Sequence, residues 1–196
     1  MEKRGLTSSL AAVGLTRGSG VGFGDELRVG LRGTTRRVWG RRGVKVRQRL
    51  QLTYQWRYLF LVVDGQRGRI WSGWTDTLKA DALWPLVAGL QEMHVLDGLV
   101  WDNAPSHRDA DIRALDLAQV ALPPYSPELN PAERLFEEIR RQVEGRVYAS
   151  LDEKVAAVQA LLDELDTDPA RVRRLCGWDW ITDALAALPE PHQFAA

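Results

Sequence analysis

Tyr58-Leu-Phe-Leu-Val-Val-Asp-Gly-Gln-Arg-Gly-Arg-Ile-Trp-Ser-Gly-Trp74 reads as two strands around a turn. Tyr58 to Val63 is an unbroken apolar run of strand length, as in a strand buried on both faces. Asp64 to Gly68 supplies the turn, and Arg69 to Trp74 resumes with β-branched and aromatic residues. Working outward, the first strand of this pair extends back to Arg49, and a further strand-like segment, Val21 to Val29, surrounds Asp25. Three strands in succession form an antiparallel meander. Downstream the period changes. Leu78 to Glu92 places Leu78, Ala82, Leu83, Leu86, Val87 and Leu90 at helical spacing, with Pro85 expected to kink the helix. A strand from Val95 to Trp101 follows, then a helix from about His107 to Asp116 and a short strand from Ala118 to Leu122. A helix beginning at Pro131 carries Leu135, Phe136, Ile139 and Val143 on one face. Ser150 with Glu153 forms a capping box for the next helix, and the last starts near Asp168-Pro169.

A meander followed by strand–helix–strand crossovers gives an α/β fold, a mixed sheet flanked by helices. This order matches the ribonuclease-H-like fold, with extra C-terminal helices. Residues 1–20, rich in Gly, Ser and Thr with no clear period, are expected to be a poorly specified lead-in.

The composition, 45% hydrophobic and 27% charged over 196 residues, is that of an ordinary globular protein and excludes disorder and collagen-like repeats. The apolar run Leu59 to Val63 is far short of the roughly 20 residues that span a bilayer. Thr7, Ser8 and Ser9 interrupt what would be the apolar part of a signal peptide, so no export is expected. The lone Cys176 excludes an intrachain disulfide and a cysteine-based zinc site, and suits a reducing cytoplasm.

The net charge of zero is the average of two opposed regions. Residues 1–70 hold 15 Lys/Arg against 4 Asp/Glu, and the remainder holds 11 against 22. From Arg28 to Arg49 there are nine basic residues and no acid. A block of one sign this dense is either a solvated loop or a surface for a polyanion.

Three acids stand out by position. Asp25 lies inside the first strand, Asp102 at the carboxyl end of the fourth, and Glu133 in the first turn of the helix after the proline-rich loop. Functional groups of α/β sheets gather at such strand ends. Ordinary structural roles are also open to each. Asp25 and Glu26 can be surface acids beside the arginines, and Asp102 can close its strand with an Asx turn. Glu133 can be the third residue of a capping box with Asn130 as N-cap and Pro131 at N1. Together, however, two acids on neighbouring strand positions and a third on a helix crossing the sheet edge suit two hard divalent cations such as Mg²⁺. Two such ions about 3.5–4 Å apart activate water or a 3′-hydroxyl and stabilise the leaving oxygen of a phosphodiester.

Four motifs make the pattern more specific: Gly24-Asp-Glu-Leu-Arg-Val-Gly-Leu31, Trp39-Gly-Arg-Arg-Gly43, Val100-Trp-Asp-Asn-Ala-Pro-Ser-His107 and Leu122-Pro-Pro-Tyr-Ser-Pro-Glu-Leu-Asn-Pro-Ala-Glu133. In that order they resemble the catalytic core of DDE transposases, most nearly the mariner-related bacterial insertion-sequence group. The resemblance covers residues 24 to about 145. It implies a catalytic domain over residues 21–146, with residues 147–196 as a helical tail packed on it. It further implies Asp25, Asp102 and Glu133 as the acids that bind two Mg²⁺ or Mn²⁺ ions, for cutting element ends and joining them to target DNA. Double-stranded DNA is then the partner, a homodimer the working state on DNA, and the bacterial cytoplasm and nucleoid the location.

Two departures bear on this. Thirty residues separate Asp102 from Glu133, and the longer spacing of related families would land on Glu137, one turn onward and about 40° around the helix. The family's usual helix-turn-helix recognition modules do not precede the core, and Arg17 to Gly24 is less apolar than the usual approach to the first acid. The resemblance then leads one to expect the second product of a split or frameshifted gene, a truncated copy or a product with a misassigned start.

Around the acids, Asn103 and His107 are supporting residues, His107 as a hydrogen-bonding group at a helix start. Arg36, Arg37, Trp39, Arg41, Arg42, Lys45 and Arg47 are the expected DNA-binding set, with arginines on phosphates and Trp39 on DNA. Trp56, Trp71, Trp74, Trp84 and Trp101 are expected in the core. Three functional readings follow: a strand-transfer enzyme, a silent or domesticated DNA-binding remnant, and a nuclease of the same fold that cuts without joining.

Overall fold

Residues 3–33, 39–47, 49–93 and 95–191 are described by a computed structural model. Arg36 and Arg37 of the expected DNA-binding set lie outside the described residues. Five strands, β1 (Val21–Gly30), β2 (Trp56–Asp64), β3 (Arg69–Thr75), β4 (Gly98–Trp101) and β5 (Ala118–Ala121), form one sheet in the order β3-β2-β1-β4-β5. β1 and β3 flank β2 antiparallel, while β4 runs parallel to β1, and β5 parallel to β4. The meander and the crossovers are both present, and the fold is ribonuclease-H-like.

The helices are α1 (Lys3–Ala12), α2 (Ala80–Glu92), α3 (Ala110–Arg113), α4 (Ala132–Val143), α5 (Leu151–Asp166), α6 (Pro169–Cys176) and α7 (Asp179–Ala186). Strand alternation sorts the core into two layers. Leu59, Leu61 and Val63 of β2 join Phe23, Leu27 and Val100 on the face covered by α4, α5 and their neighbours. Phe60 and Val62 join Leu99 and Trp101 on the opposite face, under Leu83, Val87 and Leu90 of α2. The glycines of β1 belong to this arrangement. A Cβ at Gly22 would meet Val62 Cγ1 at 2.5 Å and Leu96 Cδ1 at 2.7 Å, so large neighbours fill the space that an apolar side chain would take.

Several expectations are corrected. Residues 1–20 contain α1, whose Leu6 and Leu10 are fully buried and which packs on α7, with Thr7 Oγ1 donating to Ala184 O at 2.9 Å. Its signal is only one i, i+4 leucine pair, made decisive by a helix at the other end of the chain. β2 begins at Trp56 rather than Arg49. Leu50, Leu52 and Tyr54 are exposed, with no layer among the described residues to cover them, and Gln51 Nε2 is pinned to Tyr148 O at 3.0 Å. The expected helix from His107 to Asp116 is instead a 3₁₀ turn, Pro105–Arg108, followed by the short α3. Asp109 interrupts it by capping α3 through Asp111 N–H at 3.0 Å. Of the tryptophans, Trp101 is in the core, but Trp56 and Trp84 are exposed. No helix among the described residues is long and apolar enough to cross a membrane.

Candidate active site

Asp25 shares the parity of Phe23 and Leu27 along β1, so it belongs to the sheet face that α4 covers. Phe23 pairs with Val100 in the parallel ladder, and continuing that register by two residues sets Asp102 level with Asp25. The loop after β5 then brings α4 across the edge, with Glu133 in its first turn.

Asn130 makes the junction. It is 2% exposed, and its Nδ2 donates to Gly24 O at 2.9 Å and to Asp25 Oδ2 at 3.2 Å, while its Oδ1 accepts from Ala132 N–H at 3.1 Å. One side chain therefore starts α4 and holds the first acid. Glu133 does not close the expected capping box. Asn130 N–H donates to Pro127 O, and Glu133 Oε2 instead meets Arg140 Nη1 at 3.4 Å.

Asp25 accepts hydrogen bonds from Glu26 N–H at 2.8 Å and from Asn130, both neutral donors. Burial, with the charges of Glu26, Glu133 and Asp102 adding to it, pushes its pKa from 3.8 up to about 7, against the lowering effect of the Glu26 N–H. Its charge is the uncompensated one of the site.

Asp102 is held differently. It is mostly exposed, its Oδ1 accepts from Ala104 N–H at 2.9 Å, and His107 Nδ1 lies 2.8 Å from the same oxygen. His107 is 4% exposed and stacks on Trp101, with ring centroids 3.8 Å apart and 5° between planes. Its Nε2 reaches Glu26 Oε1 at 3.1 Å. Burial opposes the imidazolium, but hydrogen bonds to Asp102 and Glu26 outweigh it and raise the His107 pKa from 6.5 to about 10. At neutral pH both ring nitrogens therefore donate. The His107 hydrogen bond in turn lowers the Asp102 pKa. Glu26, which the sequence offered only as a neighbour of Asp25, has the opposite parity on β1 and thereby anchors the histidine beside Asp102.

A cavity of about 350 Å³ opens beside Asp102, walled by Asn103, His107, Arg108 and Arg113. Glu137 lies one turn beyond Glu133, exposed and paired with Arg134, and is not among the charges acting on Asp25. Trp39, Arg41, Arg42, Lys45 and Arg47 are all exposed in the loop between β1 and β2.

Among the described residues no three His, Cys, Asp or Glu side chains are already gathered as a metal site. Each acid is occupied separately: Asp25 by Asn130, Asp102 by His107, Glu133 by Arg140. Yet Asp102 and Glu133 both act on Asp25 electrostatically. An all-oxygen set of mutually repelling acids, one of them half-buried with no cation beside it among the described residues, fits a hard divalent ion such as Mg²⁺ or Mn²⁺.

A family profile described as DDE superfamily endonuclease matches residues 21–154, more than half of the chain. No curated protein sequence matches it. Solved structures of similar fold include a Mos1 strand transfer complex, 16% identical with a TM-score of 0.67, covering 97% of this chain and 60% of that one. A Mos1 mariner paired end complex with Mn is 18% identical with a TM-score of 0.62, covering 94% and 59%. The catalytic domain of Mos1 mariner transposase is 16% identical with a TM-score of 0.53, covering 93% and 90%. The chain thus spans about 60% of the length of the Mos1 chains in those complexes.

Proposed function

Because the chain belongs to the DDE superfamily endonucleases, we propose that it is the catalytic part of a transposase of the mariner-related bacterial insertion-sequence group, cutting element ends and joining them to target DNA. The observation that carries this reading is Asp25. A half-buried carboxyl whose pKa is driven up to about 7 by burial and by neighbouring acids, Glu133 and Asp102 among them, is the negative centre a divalent cation would relieve. Asp25, Asp102 and Glu133 are the residues that would hold Mg²⁺ or Mn²⁺. When bound, such ions supply activation of water or a 3′-hydroxyl and stabilisation of the leaving oxygen.

The chain's own residues prepare that chemistry. Asn130 holds Asp25 and the start of α4 in one arrangement. His107, buttressed by Glu26 and Trp101, keeps Asp102 ionised and oriented. Arg140 neutralises Glu133 until a stronger cation competes for it. Trp39, Arg41, Arg42, Lys45 and Arg47 present an exposed basic loop to DNA, in which phosphate contacts give salt-dependent affinity. Two element ends would be held by two copies of the chain.

The test is to incubate the chain with Mg²⁺ or Mn²⁺ and DNA carrying candidate inverted ends, using Asp25→Asn as control. Joined products are expected. Cleavage without joining identifies a nuclease of the same fold, and DNA binding with no cleavage by the unmodified chain identifies a silent remnant.

A further inference from the structure

A second concave surface lies beyond Asp25 and Glu133 and wraps the end of the β1–β2 pair, so that Leu27 and Val29 line it from the α4 face and Arg28 and Trp56, of opposite parity, from the other. It has a volume of about 780 Å³ and runs between the end of β1 and the C-terminal half of α4, with the entry to β2 as its far wall. Among the described residues five cations line it: Arg28, Arg32, Arg140, Arg146 and Lys154. Glu144 is the one acid among the described lining residues.

The far wall is aromatic. Tyr54 is 66% exposed and Trp56 43% exposed, and each carries a guanidinium near its ring, Arg32 at 4.7 Å and Arg28 at 5.6 Å. Large rings left open to water, beside arginines that make no ion pair among the described residues, mark a surface meant to be covered. Lys154 forms part of the floor. It is 9% exposed and donates to Gly30 O at 2.6 Å, and burial holds its pKa below the usual lysine value. An ammonium in that condition gains from an incoming anion.

The surface is continuous with the acids. Leu27 lies two residues past Asp25, roughly 7 Å along the strand, and Arg140 belongs to the lining while pairing with Glu133 at 3.4 Å. A phosphate seated in the groove would draw Arg140 from Glu133, so occupation of the groove and release of the third acid are linked through one side chain.

We infer that this groove is a channel for a single DNA strand leading to Asp25 and Glu133, with its backbone on the arginines and its bases against Trp56 and Tyr54. The inference rests on the proposed function and adds a site to it. An acidic peptide would satisfy the cations alone, and a duplex keeps its bases paired and stacked internally; the aromatic wall is matched by neither. Base stacking on such rings is tolerant of sequence, and arginines track the backbone.

Binding of a fluorescein-labelled single strand and of the corresponding duplex, followed by anisotropy in EDTA, tests this without cleavage. Arg28→Gln with Arg146→Gln is expected to weaken single-strand binding by about tenfold or more and to flatten the log–log salt slope by about 1.4, two phosphate contacts at about 0.7 each. Trp56→Ala is expected to weaken the single strand by about tenfold and the duplex little, with Trp56→Phe restoring most of the loss. Arg69→Gln with Arg174→Gln, two exposed cations outside the groove, controls for net charge. If the groove variants bind like the unmodified chain while Arg41→Gln with Arg42→Gln loses DNA, the groove assignment is overturned and the proposed function stands. Equal effects of Trp56→Ala on strand and duplex, or none on either, also overturn it. Failure of the unmodified chain to bind any DNA removes both readings.

Discussion

Replacing Asp25 by Asn should shift the stability of the metal-free protein increasingly in favour of the variant as pH rises. The Asp25 pKa is raised from 3.8 to about 7, so the folded state holds this proton more tightly than the unfolded chain. Stability from this group is therefore greatest at low pH and falls as pH climbs between those values. In full the penalty is on the order of 4 kcal/mol, of which about 2.5 accrues between pH 5 and 8. Partial solvent access and adjustment of the neighbouring acids reduce what is measurable to about 1–2 kcal/mol, or about 2–8 °C in Tm for a chain of this size. The substitution has a constant cost as well. The introduced side-chain amide would keep the acceptor for Glu26 N–H but turn an NH₂ toward Asn130 Nδ2, which now donates to Asp25 Oδ2. That mismatch moves the baseline but not the slope, and titration of His107 is common to both proteins. The measurement is thermal unfolding of both proteins in EDTA at pH 5, 6, 7 and 8. Their Tm difference should shift by several degrees in favour of Asp25→Asn toward pH 8, and Mg²⁺ should stabilise the unmodified chain alone. A difference constant across that range would refute the electrostatic argument for a cation at Asp25.

Glu133→Gln should lower DNA cleavage by more than about 100-fold, beyond what changes outside the metal's own ligands usually cost, with Glu137→Gln close to the unmodified chain. Full cleavage by Glu133→Gln would transfer the role to Glu137. The His107 ring followed by NMR should titrate near pH 10, and in Glu26→Ala its pKa should fall toward 6.5, since one of its two carboxylate partners is gone. The stability that His107 contributes is accordingly complete below pH 6.5 and lost as pH rises through about 10; a titration near 6.5 in the unmodified chain would remove the Glu26–His107–Asp102 linkage. Asn130→Ala should cost about 1–3 kcal/mol in denaturant unfolding, because it strips the α4 cap and leaves buried Gly24 O without that donor.

What could be read along the chain, and what could not, divides by the distance over which each signal acts. The hairpin around Gly65 and Gly68, the apolar face of α4 and the Ser150–Glu153 cap depend on residues a few positions apart, and all are present. α1 depends on α7, and its single leucine pair had no meaning without that partner. The site divides in the same way. Position along the elements singled out Asp25, Asp102 and Glu133. Their partners came from register and parity: Glu26 reaches His107 across 81 residues, Asn130 reaches Asp25 across 105, and Arg140 lies two turns along α4 from Glu133. The adjacent pair Asp25-Glu26 shows why the assignment needed the sheet. In an extended strand one step turns the side chain to the other face, so Asp25 faces the acids and α4 while Glu26 faces the buried histidine. Two consecutive carboxylates, indistinguishable as charges in a sequence, thereby acquire opposite electrostatic tasks, one left without a counter-cation and the other spent on holding His107 charged beside Asp102.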